Sequence, residues 1–212
     1  MERAVVFVDG NNWYHALRDA GLTSLGWLNY AKVSAKIVGP GRNWIATRYY
    51  IGQVQQRGNT ALYADQRRYM AWTCARDNRI TVHYGRLEER TEENEFAREL
   101  RKYLAALPVR IDSAVYRDLV AMATKHATSR FMVEKAVDVM LAVDLVRMAD
   151  RNEYDVAYLL AADGDYTPAA RAVTEAGKKV FAASIRPGAE LARAVYKFIP
   201  LERTWFADCF GQ

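Results

Sequence analysis

The sequence predicts an α/β domain built on a mostly parallel central sheet, and three observations carry that prediction. Asp155–Ser184 (DVAYLLAADGDYTPAARAVTEAGKKVFAAS) reads strand, acidic turn, helix, strand. Its opening run, Val156–Ala161, is continuously apolar, the mark of a strand buried on both faces. Ala4–Val8 is a run of the same kind and also ends in an acidic turn, Asp9-Gly10-Asn11-Asn12, ahead of a helix. A strand–helix–strand unit of this kind makes neighbouring strands parallel and the crossover right-handed. Asp9 and Asp163 therefore stand at the C-terminal ends of strands, where open α/β sheets place their sites.

Taken in order, the helix after Asp9 is expected over about Trp13–Ala20, closed by Gly21. Leu25–Val38 reads as a helical segment with Tyr30, Val33 and Ile37 on one face, ended by Pro40-Gly41. Asn43–Val54 is a second strand carrying Arg48, Tyr49 and Tyr50, and Tyr63–Asn78 a helix exposing Gln66, Arg67, Arg68 and Arg76. Ile80–Leu87 alternates as a strand does. Glu92–Leu107, acidic early and basic late as the helix dipole prefers, is a helix broken by Pro108. Ser113 caps another over Ala114–His126, expected to bury Val115, Leu119 and Met122. These two helices lack α/β-type turns and read as a helical insertion at about 92–128 in one domain spanning 1–212.

Phe131-Met132-Val133 is a short strand entering a long apolar helix that runs to about Arg151 and should be largely buried. In the later βαβ unit Thr167 is the expected N-cap, with Pro168 at the first helical position. Ala189–Ile199 reads as an amphipathic helix, and Trp205–Gln212 as an aromatic tail that docks on the body.

The 212 residues suffice for a substantial core, and a 51% hydrophobic content argues against long disorder. A formal charge of +5 leans towards a polyanionic partner, with basic residues from Arg3 to Arg57 outnumbering acidic ones. Cys74 and Cys209 match neither a zinc pattern nor a disulfide scaffold, so a reducing compartment is expected. No signal peptide or membrane-length run is visible, which points to a cytoplasmic protein without membrane attachment.

Four carboxylates come from separate elements: Asp9, Asp138, Asp163 and Asp165. Brought together they would repel one another unless a cation neutralised them. His15, His83 and His126 have no partners at metal-ligand spacing, and an all-oxygen set suits Mg²⁺ or Mn²⁺ rather than zinc. Such an ion can ionise a water and steady a phosphate during in-line displacement, so phosphodiester hydrolysis is the natural reaction. Asp138 lies in the first turn of its helix, where capping is the plainer role. Asp144, six residues on and about 120° round the helix, is either the buried partner of a basic group or a support behind the site. Asn11 and Asn12 either shape a polar turn or meet a substrate phosphate, and Lys135 pairs with Asp138 or with a phosphate. Arg48, among tyrosines, either stacks on bases or grips phosphate, or is a solvated edge residue.

Phe7-Val8-Asp9-Gly10-Asn11-Asn12, then Glu134-Lys135-Ala136-Val137-Asp138-Val139 with Leu141-Ala142-Val143-Asp144, then Ala162-Asp163-Gly164-Asp165-Tyr166 with Pro168, resemble the NYN domain of the LabA/DUF88 type, within the PIN-like nucleases. The motifs span most of the chain in the family's order. The resemblance implies a Rossmann-like three-layer fold and metal-dependent cleavage of RNA. It maps catalysis and metal binding onto Asp9, Asp138, Asp163 and Asp165, with Asn11 as a helper. The final stretch Leu191–Phe198 has no acidic residue where relatives commonly carry an Asp. The leading expectation is a ribonuclease acting on single-stranded or structured RNA, with a homodimer compatible. The alternative is a non-catalytic RNA-binding or regulatory module that keeps the acidic pocket.

Overall fold

The computed structural model describes residues 1–56, 60–107 and 112–210. Arg57, Pro108 and Gln212, to which the sequence reading assigned roles, lie outside the described residues. The chain forms two compact units, Met1–Arg86 with Glu134–Gln212, and Leu87–Val133.

The elements run β1 (Arg3–Asp9), α1 (Gly10–Asp19), α2 (Tyr30–Val38), β2 (Asn43–Gln53), α3 (Thr60–Ala75) and β3 (Ile80–Glu93). They continue as α4 (Glu95–Ala105), α5 (Ser113–Lys125), β4 (Thr128–Lys135), α6 (Val137–Asp150) and β5 (Val156–Leu160). The last are α7 (Thr167–Glu175), β6 (Lys179–Ser184), α8 (Leu191–Ala194) and β7 (Lys197–Pro200). The sheet order is β4-β3-β2-β1-β5-β6-β7, and the six strands from β3 to β7 in that order pair parallel.

Continuous apolar strands mean that alternate residues feed opposite layers. Val6 and Val8 of β1 join Trp13, Leu17, Tyr30 and Val33 from α1 and α2 in one core. Val5 and Phe7 join Leu141 and Leu145 of α6 and Ala170 and Val173 of α7 in the other. Burying each large side chain contributes roughly 1.5–3 kcal/mol, so β1 is anchored from both faces. From β1 the chain winds outward through β2 and β3 on one side, and through β5, β6 and β7 on the other. The strand order thus reverses between β1 and β5, which opens a crevice at their C-terminal ends.

Several sequence expectations change. Ala189–Ile199 is not one helix: α8 spans a single turn, and β7 pairs parallel with β6, Phe198 beside Ala182. The expected segment Leu25–Val38 becomes helical only from Tyr30, where the Asn29 side chain accepts hydrogen bonds from the Ala31 and Lys32 amides. Thr167 does not cap α7; it lies within the helix, and a 3-10 turn over Gly164–Tyr166 precedes it. α6 is less buried than its composition suggests, since Val139 and Val143 are exposed.

In the second unit β3 runs on to Glu93, so α4 starts at Glu95 rather than Glu92, capped by Asn94. Asp112, not Ser113, caps α5 by accepting from the Ala114 and Val115 amides. Val115 and Met122 are exposed, and the buried residue of α5 is Ala123. The aromatic tail does dock: Phe206 is buried with its ring 6.0 Å from Trp13.

Candidate active site

Asp9 is the last residue of β1 and the N-cap of α1. Its Oδ1 accepts from the Asn12 amide at 3.0 Å, satisfying one of the orphan donors that every helix start carries. The Asn12 side-chain carbonyl in turn accepts from the Ala162 amide at 3.2 Å, in the turn after β5. Asn12 therefore ties the two acidic turns together. Asn11, its neighbour, is exposed.

The second turn, Ala162-Asp163-Gly164-Asp165, folds back on itself. The Asp163 carboxylate accepts from the Asp165 amide at 3.0 Å, and Asp165 points outward, exposed. Tyr166 closes the turn and is buried. Its hydroxyl lies 2.9 Å from Asp9 Oδ2 and 3.2 Å from Asp138 Oδ1. A phenol has one proton to donate, so it cannot satisfy both carboxylates.

Asp138 arrives from the first turn of α6. The chain enters that helix through Ala136, held in the left-handed region at φ 69°, a conformation that disfavours any side chain with a Cβ. β3 gives way at Gly85, where a Cβ would lie 2.3 Å from a Val137 methyl. Lys135 ends β4 just before this turn.

Burial is the main cause of a large upward shift of the Asp9 carboxyl, to about 6. The Asn12 and Tyr166 hydrogen bonds oppose it, and the charges of Asp138 and Asp163 add to it. The Tyr166 hydroxyl is pushed far above the normal tyrosine range, first by burial and then by Asp9 and Asp138. Among the described residues no Lys or Arg pairs with Asp9, Asp138, Asp163 or Asp165. Nor do three His, Cys, Asp or Glu side chains close round one point as a formed ion cage. Uncompensated carboxylates would hold apart in this way, so the two observations agree. Tyr166→Phe should move the Asp9 pKa above about 6, since the hydroxyl is a stabilising donor to the carboxylate. Carboxyl-carbon NMR titration reads this directly, and an unchanged value would show that the hydroxyl does not serve Asp9.

Arg48 and Asp144 lie elsewhere. Arg48 donates to Asp144 Oδ2 at 2.7 Å and to the Tyr50 hydroxyl at 2.8 Å, while Tyr50 donates to the same carboxylate at 2.7 Å. Burial alone would raise the Asp144 carboxyl, but these hydrogen bonds outweigh it and hold the group below its ordinary value. Asp144 is six residues, about 9 Å along α6, from Asp138. Asp144 and Arg48 are thus half-buried partners in one ion pair.

Two residues escaped the sequence reading. In the sequence Tyr166 stands out only as the last residue of Ala162-Asp163-Gly164-Asp165-Tyr166. Glu190, immediately before α8, brings a carboxylate oxygen to 3.0 Å from the point a Cβ on Gly164 would occupy. It reaches the rim of the Asp163–Asp165 turn one residue ahead of the acid-free stretch Leu191–Phe198. The signal available was its place after β6, on the sheet edge that carries Asp9 and Asp163.

The NYN domain family model matches residues 3–202. The chain belongs to the NYN domain family. NYN domains are part of the PIN-like nuclease superfamily, so this is a nuclease-type domain, which implies a nucleic-acid substrate. A crystal structure of a protein of unknown function from Vibrio parahaemolyticus is similar in fold, with a TM-score of 0.52 and 13% identity over 95% of this chain and 94% of that one. No functionally curated protein matches the sequence. The Rossmann-like α/β fold of the family is the one described above. Among the described residues no helix is long and apolar enough to cross a membrane.

Proposed function

We propose that this NYN domain is a metal-dependent ribonuclease that hydrolyses RNA phosphodiester bonds at Asp9, Asp138 and Asp163, with Asp165 and Glu190 at the rim. The observation that carries the reading is the sharing of one Tyr166 hydroxyl proton between Asp9 and Asp138, at the strand-order reversal and without a basic partner among the described residues. That arrangement is electrostatically incomplete, and a hard dication completes it. Mg²⁺ or Mn²⁺ fits the donor set, which is all oxygen; Asp9, Asp138 and Asp163 would hold it. When bound, such an ion lowers the pKa of water and neutralises charge on the scissile phosphate. The buried Thr167 hydroxyl, with no partner among the described residues, adds an unmet hydrogen-bonding group beside the same turn.

The residues themselves have separable tasks in this reading. Asn12 fixes the spacing of the two acidic turns, and Tyr166 sets the relative orientation of Asp9 and Asp138. In the same reading Asn11, exposed at the start of α1, and Lys135 meet the RNA backbone, where an amide and an ammonium both suit phosphate oxygens. The test is parallel incubation of labelled RNA, DNA and a phosphomonoester with the purified protein, with Mg²⁺, Mn²⁺ or EDTA. Cleavage confined to RNA and abolished by EDTA is expected. Turnover of DNA or of the monoester in its place would overturn the substrate assignment.

The second reading is a non-catalytic RNA-binding module. It is favoured by the absence, among the described residues, of three acid side chains closed round one point. It predicts retention of RNA with no metal-dependent product in the same incubations.

A further inference from the structure

A second concavity opens on the α1–α2–α3 face, separate from the carboxylates. Its volume is about 460 Å³, within the range of sites that enclose small ligands. Tyr14, Trp27 and Tyr69 line it, with Leu62 also in the wall. Trp27 is 39% exposed and Tyr14 50%, more than packing alone would leave for two large aromatic side chains. The Trp27 ring is held by Tyr69 and Trp72, each 5.4 Å away, so it is a braced surface and not a loose one. Few polar groups face the space; Thr23 and Asp65 are among them.

The charges around it are informative. α3, which supplies Leu62, Asp65 and Tyr69, also carries Arg67, and Arg76 follows its last residue. Arg67 lies against the Tyr63 ring at 5.9 Å and Arg76 over Trp72 at 4.5 Å. Neither has a carboxylate partner among the described residues. An aromatic slot whose flanking helix carries guanidinium groups outside the lining matches a planar heterocycle on a phosphate backbone that runs past the slot. It does not match a lipid chain, which gains nothing from the arginines.

Position ties the slot to the acidic site. Tyr14 is on α1, five residues and about 7.5 Å along the helix from the Asp9 cap. Ile51 and Val54 also line the slot, and β2 residue Tyr50 is in register with Asp9, so the slot begins where the crevice ends. We propose that this slot takes one unstacked nucleobase of the RNA strand whose backbone passes the carboxylates, and so selects where the strand is cut. The inference rests on the ribonuclease reading above. It adds a preference: Asp65 is an acceptor-only group, and guanine presents two adjacent donors, N1–H and N2–H₂, along one edge. The ion pair that Asp65 makes with Arg68 is exposed and readily exchanged.

The experiment uses the intact chain and short labelled RNAs in EDTA, with one abasic nucleotide moved through the sequence, read by fluorescence anisotropy. Trp27→Ala and Leu62→Glu should each weaken binding on the order of 10-fold, the size of one lost base stack. One abasic position should cost the wild type the same factor and cost Trp27→Ala nothing further. Asp65→Asn should erase a preference for guanine at that position. Unchanged affinity of the slot variants, or losses that simply add, would overturn the proposal. So would guanosine monophosphate binding to the slot as tightly as RNA does, which would make it a free-nucleotide site. The two readings fail differently. Wild-type-like binding by the slot variants, with RNA still cut, sinks only the slot; a coupled abasic effect on RNA that Mg²⁺ or Mn²⁺ never causes to be cut sinks only the chemistry.

Discussion

Asp9→Asn should lower RNA cleavage by roughly 10³-fold and, at neutral pH in metal-free solution, leave the protein more stable than the wild type. In the proposed metal-dependent reading the first effect follows from withdrawing a carboxylate from a site where a bound ion would supply several kcal/mol of charge stabilisation, at about 1.4 kcal/mol per tenfold. The second follows from the carboxyl pKa. Folding raises it from 3.8 to about 6, chiefly by burial, so the folded state binds the proton more tightly than the unfolded chain does. The favourable contribution is therefore fully present below about pH 4 and is lost as pH rises through about 6. Above that the wild type carries a penalty on the order of 3 kcal/mol that Asn does not. Asn still offers a carbonyl to the Asn12 amide and an amide to the Tyr166 hydroxyl, so little is given up. Urea unfolding at pH 4 and pH 7 should show a stability gain at the higher pH only, and added Mn²⁺ should stabilise the wild type more than the variant. Equal cleavage by the variant would remove Asp9 from the chemistry. A gain that does not depend on pH would remove the electrostatic account.

Asp9 and Asp163 were legible in the sequence because each follows a short apolar run of strand type, and a strand end is a place the topology rules can locate. Asp138 was legible as a first-turn carboxylate, with its contact to the site contingent on where α6 enters. Tyr166 was not, because its partners are 157 and 28 residues away and only the 3-10 turn before α7 aims the hydroxyl at both. Arg48 and Asp144 show the same limit: the sequence allowed either residue an internal partner, and only the packing of α6 on β2 makes them each other's. The tail of the domain misled for a different reason. Ala189–Ile199 has apolar residues whose spacing fits a helix, and Phe198 and Ile199 are adjacent, so no alternation marks a strand there. The open edge of β6 supplies backbone partners that a four-residue strand can use. That strand extends the sheet edge beyond β6, and Glu190, just ahead of α8, stands against Gly164.

Gly10→Ala should destabilise the domain by about 2–3 kcal/mol and disable the site in the same step. Gly10 follows Asp9 at the start of α1, a position where alanine would ordinarily gain up to about 1 kcal/mol in helix propensity. Contact geometry opposes that gain. A Cβ there would stand 2.7 Å from the Tyr50 carbonyl oxygen and 2.7 Å from the edge of the Tyr49 ring. The ring is buried and the carbonyl belongs to a paired strand in the middle of the sheet, so neither yields cheaply. Overpacking of this kind costs about 1–3 kcal/mol and is relieved by moving the helix. Moving α1 displaces the Asn12 amide from Asp9 and its side chain from Ala162, the two bonds that hold the acidic turns in register. At this chain length the melting temperature should fall by roughly 4–12 °C. Gly41→Ala is the control: nothing lies within 4 Å of its Cβ, so it should be neutral or slightly stabilising, by about 0.4–1 kcal/mol. If Gly10→Ala melts and cleaves like Gly41→Ala, the close approach of α1 to β2 is not what places Asp9. If it melts low while RNA binding and cleavage survive in the folded fraction, the spacing of the two turns tolerates more than hydrogen bonds of 3.0 and 3.2 Å imply.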